Sequence, residues 1–529
     1  MMPSVTRRPL FWAVSVGAVL VMAAAAVFTR SLNHDAAWYL YMADAMRGGA
    51  ALYRDVADTN PPLIVFLSLP PIWLAALLHL SQSVAFNVYV FGAAGVSLAV
   101  CSRLISRAWP DVSMEIRGLL LVTTAFCLLP FVRLDFGQRE HLAVILLLPY
   151  VWLLATPGAS GASRFASVLI GVAAGLGFAV KPHFALPWAL LEILVFARER
   201  FALRATLRPA LVAAVTTVVA YVGFVLLFVP QYVDVFNDVR QFYGGLDSPL
   251  STLVRLPDIA AWIAAVATLA AFKLSRDPER PVLVLFTAAT GFIAAGLLQF
   301  KGWSYQMYPG RAFLVIYFIA FSLALLQSAP ALSSILRGGI RSVCLVIVLG
   351  LVATSGRYLA ESRHPPGPDI VAPLVELINK QTPHGPIAQI SMRTQMYPGF
   401  PAANEAGVKW SLRFPTLFYL PGLYENELLL PDSELKFREP AAMSPMERRY
   451  FTEFVDNLCT APPSVMIIEP PIPRAPAGRR SLDLVAYYGQ DPRFKRLFSG
   501  YTPIGWLGSF TIYGLSQGSQ APRPCESPR

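Results

Sequence analysis

Charged residues are scarce in this chain. Asp, Glu, Lys and Arg make up 14% of its 529 residues, where a soluble globular protein carries about 25%. With 55% hydrophobic residues and a mean hydropathy of +0.52, a soluble globular protein is excluded and a polytopic membrane protein is indicated. Cysteine is sparse as well. Five are present (Cys101, Cys127, Cys344, Cys459 and Cys525), with no Cys-x-x-Cys and no Cys/His spacing suited to zinc. The chain also lacks internal repeats and low-complexity blocks, and its C-terminal part shows neither a Gly-rich phosphate loop nor a Ser/His/Asp signature.

What is present is a series of apolar runs. The first, Leu10 to Phe28, follows a basic N-terminal segment and has no clear cleavage site, so it reads as an uncleaved first helix. Ten more lie at 84–102, 118–133, 141–156, 165–180, 183–197, 209–230, 257–273, 282–300, 311–327 and 340–356. At roughly 20 residues per crossing this predicts about eleven transmembrane helices. The run 61–80 is split by Pro61-Pro62 and Pro70-Pro71, and proline inside a helix removes a backbone bond and clashes with the preceding turn. Charge parity decides its placement. If 61–80 does not cross, the short loops bearing Arg7 and Arg8, Arg103 to Arg117, Arg164, Arg198 to Arg208, Lys273 to Arg280, and Arg337 and Arg341 share one side, as the positive-inside rule requires. The run therefore reads as a pair of juxtamembrane helices along the outer interface. The net charge of +11 belongs to those inner loops and is no nucleic-acid footprint.

This topology gives a transmembrane module over 1–356 with a first outer loop at 30–83. An extracytoplasmic domain follows over 357–529, with a disordered tail at 517–529. Helical patterns at 369–381 and 444–458 alternate with β-like runs at 386–391, 464–469 and 509–515, which predicts a small α/β fold. On an oxidising side, Cys459 and Cys525 are candidates for a disulfide.

The outer segments collect the polar and aromatic residues of the membrane half. Asp35, beside His34, sits just past the first helix, as a general base for an incoming hydroxyl or amine or as an N-cap for the run Ala36 to Met46. Asp135, Arg139, Glu140 and His141 cluster in RLDFGQREH between two apolar runs. Ionisable groups at such depth are functional candidates, and internal pairing of Asp135 with Arg139, or Arg133 with Glu140, is the structural alternative. Lys181 and His183 follow another apolar run, with Lys181 either snorkelling or binding phosphate. Lys301, Trp303, Tyr305, Tyr308 and Arg311 suit a phosphorylated lipid headgroup or an interfacial aromatic belt. Asp35 with Asp135 or Glu140 is the candidate ligand set for a divalent cation.

Asp35, Tyr39, Gly48, Leu52, Tyr53, Asp55 and Asn60-Pro61-Pro62-Leu63, followed by Asp135 or Glu140, Lys181, and Lys301 with Tyr308-Pro309, form an ordered series. It resembles the GT-C superfamily of integral-membrane glycosyltransferases, in particular the branch of protein O-mannosyltransferases and the bacterial aminoarabinose transferase. The likeness covers residues 10 to 320, with Asp35-Ala36 and Val180-Lys181 where relatives often carry Asp-Glu and Thr-Lys. It implies an enzyme of the bacterial inner membrane that moves a sugar from a polyprenyl-phosphate donor to a lipid, glycan or protein acceptor, with inversion. Asp35 would be the base, with Asp135 or Glu140 as the second acid. The basic residues would hold the phosphate, and Tyr53, Asp55 and Asn60 would shape the substrate cavity. These groups are expected to meet on one side of the bilayer. The rival reading is a lipid-linked sugar transporter or flippase with an accessory outer domain, although the chain shows no paired repeats.

Overall fold

The computed structural model describes residues 7–157, 163–202, 207–243, 247–275, 277–328, 350, 353, 369–381, 385–425, 437–471 and 482–516. The apolar run at 340–356 and the tail at 517–529 lie outside them, apart from residues 350 and 353.

The helices, in chain order, begin with α1 (Arg7–Val27), α2 (His34–Arg47), α3 (Leu63–Leu67), α4 (Leu69–Leu78) and α5 (Gln82–Ala108). Next come α6 (Met114–Leu128), α7 (Arg139–Ala155), α8 (Arg164–Ala179), α9 (Ala185–Arg198) and α10 (Pro209–Phe228). Then follow α11 (Gln231–Phe242), α12 (Leu250–Leu253), α13 (Pro257–Ser275), α14 (Arg280–Leu297) and α15 (Ser304–Ser328). The C-terminal part adds α16 (Val371–Gln381), α17 (Gly399–Ala406), α18 (Leu420–Leu423), α19 (Pro445–Thr460), α20 (Leu484–Tyr488) and α21 (Pro492–Phe498). Its strands are β1 (Ile387–Ile390), β2 (Val465–Ile468), β3 (Tyr501–Leu507) and β4 (Phe510–Leu515).

Among the described residues, six helices are long and apolar enough to cross a membrane. Two shorter helical segments among the described residues, 63–78 and α8, are also apolar. The predicted run 61–80 is a broken helix. α3 ends at Ser68, whose hydroxyl donates to Ile64 O at 2.9 Å, and α4 takes Pro70 and Pro71 into its first turn, where no intrahelical N–H is needed.

The chain divides into two compact units. The first comprises 1–30, 77–225 and 248–365. In it α14 packs against α9 and α15, and α7 against α5 and α8. Small residues let the backbones approach. A Cβ on Gly171 or Gly175 of α8 would strike the α10 backbone at Ala210 or Ala214, and one on Gly291 of α14 would reach Pro187 Cα of α9 at 2.5 Å. Two partly buried arginines of this unit are paired. Arg311 Nε and Nη2 bond Asp258 at 2.6 and 2.9 Å. Arg280 bonds Glu199 at 3.1 Å and Leu154 O at 2.8 Å.

The second unit comprises 31–76, 226–247 and 366–529. Its four-stranded sheet has the order β1-β2-β4-β3. β1 and β2 are parallel, with Ile387 opposite Val465. β4 runs antiparallel to both β2 and β3, and β3 turns into β4 through Gly508 at φ +59°. β1 and β2 are apolar and wholly buried, as expected of strands covered on both faces. α16 buries Val371, Leu374 and Ile378, and α19 buries Tyr450, Phe451, Phe454, Val455 and Leu458, each at helical spacing. The predicted strands at 386–391, 464–469 and 509–515 correspond to β1, β2 and β4. β3 was not predicted, because Pro503 and Gly505 weaken its strand pattern.

Most of the predicted first outer loop, residues 31–76, belongs to this second unit. Trp38 of α2 meets Phe400 edge-on at 4.9 Å, and Tyr41 meets it tilted at 5.4 Å. Asn404 donates to Ala37 O at 3.1 Å, and Trp410 N–H donates to the Tyr41 hydroxyl at 2.8 Å. α11 is held there too, since Asp238 pairs with Arg449 and accepts from the Tyr450 hydroxyl at 3.1 Å. Cys459 is disulfide-bonded, and Cys525, its expected partner, lies outside the described residues.

Candidate functional site

In the second unit, Asn33 and not Asp35 caps α2, its side chain accepting from Asp35 N–H at 2.9 Å. Asp35 therefore lies in the first helical turn, where the N-terminal end of the helix dipole favours a carboxylate. It is 8% exposed, and His34 Nδ1 stands 3.1 Å from its Oδ1. A carboxylate held this way is oriented and largely dry.

The loop after α2 is organised by a residue that sequence reasoning passed over. Asp58 is 3% exposed and accepts from Trp38 Nε1 at 2.9 Å and from Asn60 N–H at 2.8 Å. Asn60 also donates to the Tyr39 hydroxyl at 3.3 Å. Tyr53 adopts φ +63°, donates its hydroxyl to Asn60 O, and its own carbonyl accepts from Arg413 at 2.6 Å. Tyr53 and Asn60 thus fold the loop on itself. Asp55 is exposed. The Arg54 guanidinium beside it, helped by the Ala51 N–H, holds its carboxyl below the usual range. The signal that could have identified Asp58 is its place in DVADTNPP, an Asx turn leading into Asn-Pro.

In the first unit a second cluster forms where four segments converge. Glu140 occupies the first turn of α7. Lys181 precedes the 3-10 turn Pro182–Phe184 that leads into α9. The two form an ion pair whose side chains are 1% and 7% exposed. Lys181 also donates to Gln299 Oε1, just beyond α14, at 2.9 Å, and its ammonium lies 5.3 Å from the centre of the Tyr305 ring at the start of α15. Gln299 is locked in turn by donating to Ala295 O at 3.0 Å. Trp303 lies beside Tyr305, ring centres 5.7 Å apart.

Several of the other residues named from sequence make internal contacts. His141 is fully buried. Its Nδ1 accepts from Gly137 N–H at 2.9 Å, so Nε2 carries the proton and donates to Leu128 O at 2.6 Å. Its ring meets Tyr308 edge-on at 5.9 Å. Tyr308 lies in α15, which begins at Ser304. It is 2% exposed and donates to Cys127 O at 2.7 Å. Arg311 is held by Asp258, a partner not anticipated from the sequence. Asp135 accepts from Gln138 Nε2 at 3.4 Å. Arg139 and Lys301 are each 4% exposed, and His183 is exposed. Gln299 was missed because a lone glutamine at the end of the apolar run 282–300 carries no motif of its own.

Among the described residues, no group of three or more His, Cys, Asp or Glu side chains could hold a metal ion. Glu140, a candidate ligand, is instead neutralised by an ammonium.

No family model matches this chain, and no curated protein does. Among solved structures, it is similar to ArnT from Cupriavidus metallidurans in the apo state, with a TM-score of 0.53 and 12% identity over 95% of this chain and 97% of that one. It is also similar to the Archaeoglobus fulgidus oligosaccharyltransferase in the apo form, with a TM-score of 0.45 and 11% identity over 96% of this chain and 74% of that one. The first likeness runs nearly end to end. The chain therefore has a polytopic helical membrane fold with a small C-terminal sheet, similar to the fold of ArnT.

Proposed function

We propose that this protein is a membrane glycosyltransferase that moves a sugar from a polyprenyl-phosphate donor to an extracytoplasmic acceptor. The observation that supports it most is the fold shared with ArnT across 95% of the chain, ArnT being an aminoarabinose transferase. Each unit adds a group suited to the chemistry. In the second unit, Asp35 is a dry, oriented carboxylate that can take a proton from the acceptor hydroxyl or amine. In the first, Lys181 stands with Gln299 and Tyr305 as donors and cation for the phosphate of the donor. The acceptor oxygen or nitrogen attacks the anomeric carbon, the bond from that carbon to the phosphate oxygen breaks, and the lipid phosphate leaves with the electron pair. A cation beside the leaving oxygen stabilises the charge that develops there. On this reading the protein resides in the bacterial inner membrane with its C-terminal domain outside the cytoplasm, where the Cys459 disulfide would persist.

The test is Asp35→Asn. Transfer from a polyprenyl-phosphate sugar should fall by about 100-fold or more, the range of a lost general base, while the variant still accumulates in the membrane and unfolds at the temperature of the parent protein. Full activity in Asp35→Asn removes Asp35 from the reaction. Movement of labelled lipid-linked sugar across the bilayer, without any covalent product, would replace the transferase reading with that of a flippase.

A further inference from the structure

We propose that Lys181 is an exchange site: a lipid-linked phosphate takes the ammonium from Glu140 on binding, and Glu140 is the counter-ion that occupies the cation until then. This rests on the reading that the donor carries a polyprenyl phosphate.

Four observations carry it. Glu140 and Lys181 are paired and almost wholly buried, so an anion arriving from elsewhere meets a cation already neutralised. Glu140 Oε2 has no hydrogen-bond partner among the described residues, so Glu140 is held chiefly through Lys181. It is a replaceable ligand, not a member of a closed network. Lys181 keeps two other neighbours that do not depend on Glu140. Gln299 is fixed by its own bond to Ala295 O, and the Tyr305 ring lies beneath the ammonium. Lastly, Glu140 lies in the first turn of α7, whose N-cap Gln138 makes no side-chain cap bond. The N-terminal end of that helix offers a displaced carboxylate a favourable field.

The consequence is a penalty built into donor binding. An anion that forms a new pair with Lys181 must first break an existing buried one, and leaving a buried charge without its partner is costly. A phosphate brings several acceptor oxygens where the carboxylate uses one, so it can engage Lys181 and the Tyr305 hydroxyl together. A neutral polar molecule gains nothing from the exchange. The pair thereby selects for a strong anion at this position and keeps the cation from being left bare.

The experiment measures the affinity of detergent-solubilised full-length protein for a sugar-free polyprenyl phosphate, with inorganic phosphate as a second arm. Glu140→Gln removes the competing charge, and the lipid phosphate should bind about tenfold tighter than to the parent. Lys181→Met should lose at least tenfold, and the double variant should bind no better than Lys181→Met alone. A gain in affinity is the decisive sign, because a purely structural role for Glu140 gives only losses. Should Glu140→Gln fail to accumulate, Glu140→Asp keeps the charge on a shorter stem and should give a smaller gain in the same direction. Parent protein that binds the lipid while neither Glu140 variant binds it tighter overturns the exchange but leaves the transferase reading intact. Parent protein that binds no polyprenyl phosphate overturns that reading, and the exchange with it. Inorganic phosphate binding as tightly as the lipid form would overturn the lipid as the source of the anion.

Discussion

At the scale of single residues, the chain invests its few charges in pairs. Glu140 with Lys181, Arg311 with Asp258, and Arg280 with Glu199 are all polar contacts within a largely apolar unit. A buried ion left alone is expensive, so each pairing also constrains where its helices can go. In the second unit the same logic applies to Asp58. Replacing it by Ala strands the Trp38 indole N–H and releases Asn60. The expected loss is about 1–3 kcal/mol, read as a lower unfolding temperature together with altered tryptophan fluorescence. An Asp58→Ala protein as stable as the parent would show that this carboxylate does not organise the loop.

At the scale of elements, helix contacts are made by what is missing from the side chains. Gly171 and Gly175 leave space one turn apart on α8, and α10 fills it with backbone at Ala210 and Ala214. Gly171→Leu should push the helices apart at a cost of about 3 kcal/mol, the upper part of the range for overpacked sites. Reduced accumulation in the membrane and a lower unfolding temperature would report it. A Gly171→Leu protein of parental stability would mean that α8 and α10 do not depend on this approach. The elements themselves were largely legible in the sequence. Apolar runs matched α5 to α10 and α13 to α15 while α11 and α12 were not predicted, and Pro61-Pro62 and Pro70-Pro71 announced the broken segment. β3 was hidden because its proline and glycine read as breakers, and the sheet alone supplies the pairing that tolerates them at an edge.

At the scale of the whole molecule, charge parity fixes a topology that can be read directly. Reporter fusions after residues 80, 110 and 450 should report outside, inside and outside, as charge parity demands. A fusion at 110 on the outside would reverse the parity and return 61–80 to the bilayer. Polytopic character, the α/β pattern of the C-terminal part and the likeness to GT-C glycosyltransferases were determined by sequence alone. They rest on hydropathy, period and short motifs, which are local properties of the chain. The tertiary structure decided which residues meet. It joined 31–76 and 226–247 with 366–529 in one compact unit, turned Glu140 toward Lys181, and brought Gln299 to that lysine across 118 positions of sequence. Such partners are selected by which buried charges and donors can satisfy one another once the helices have packed, and no local pattern records that choice.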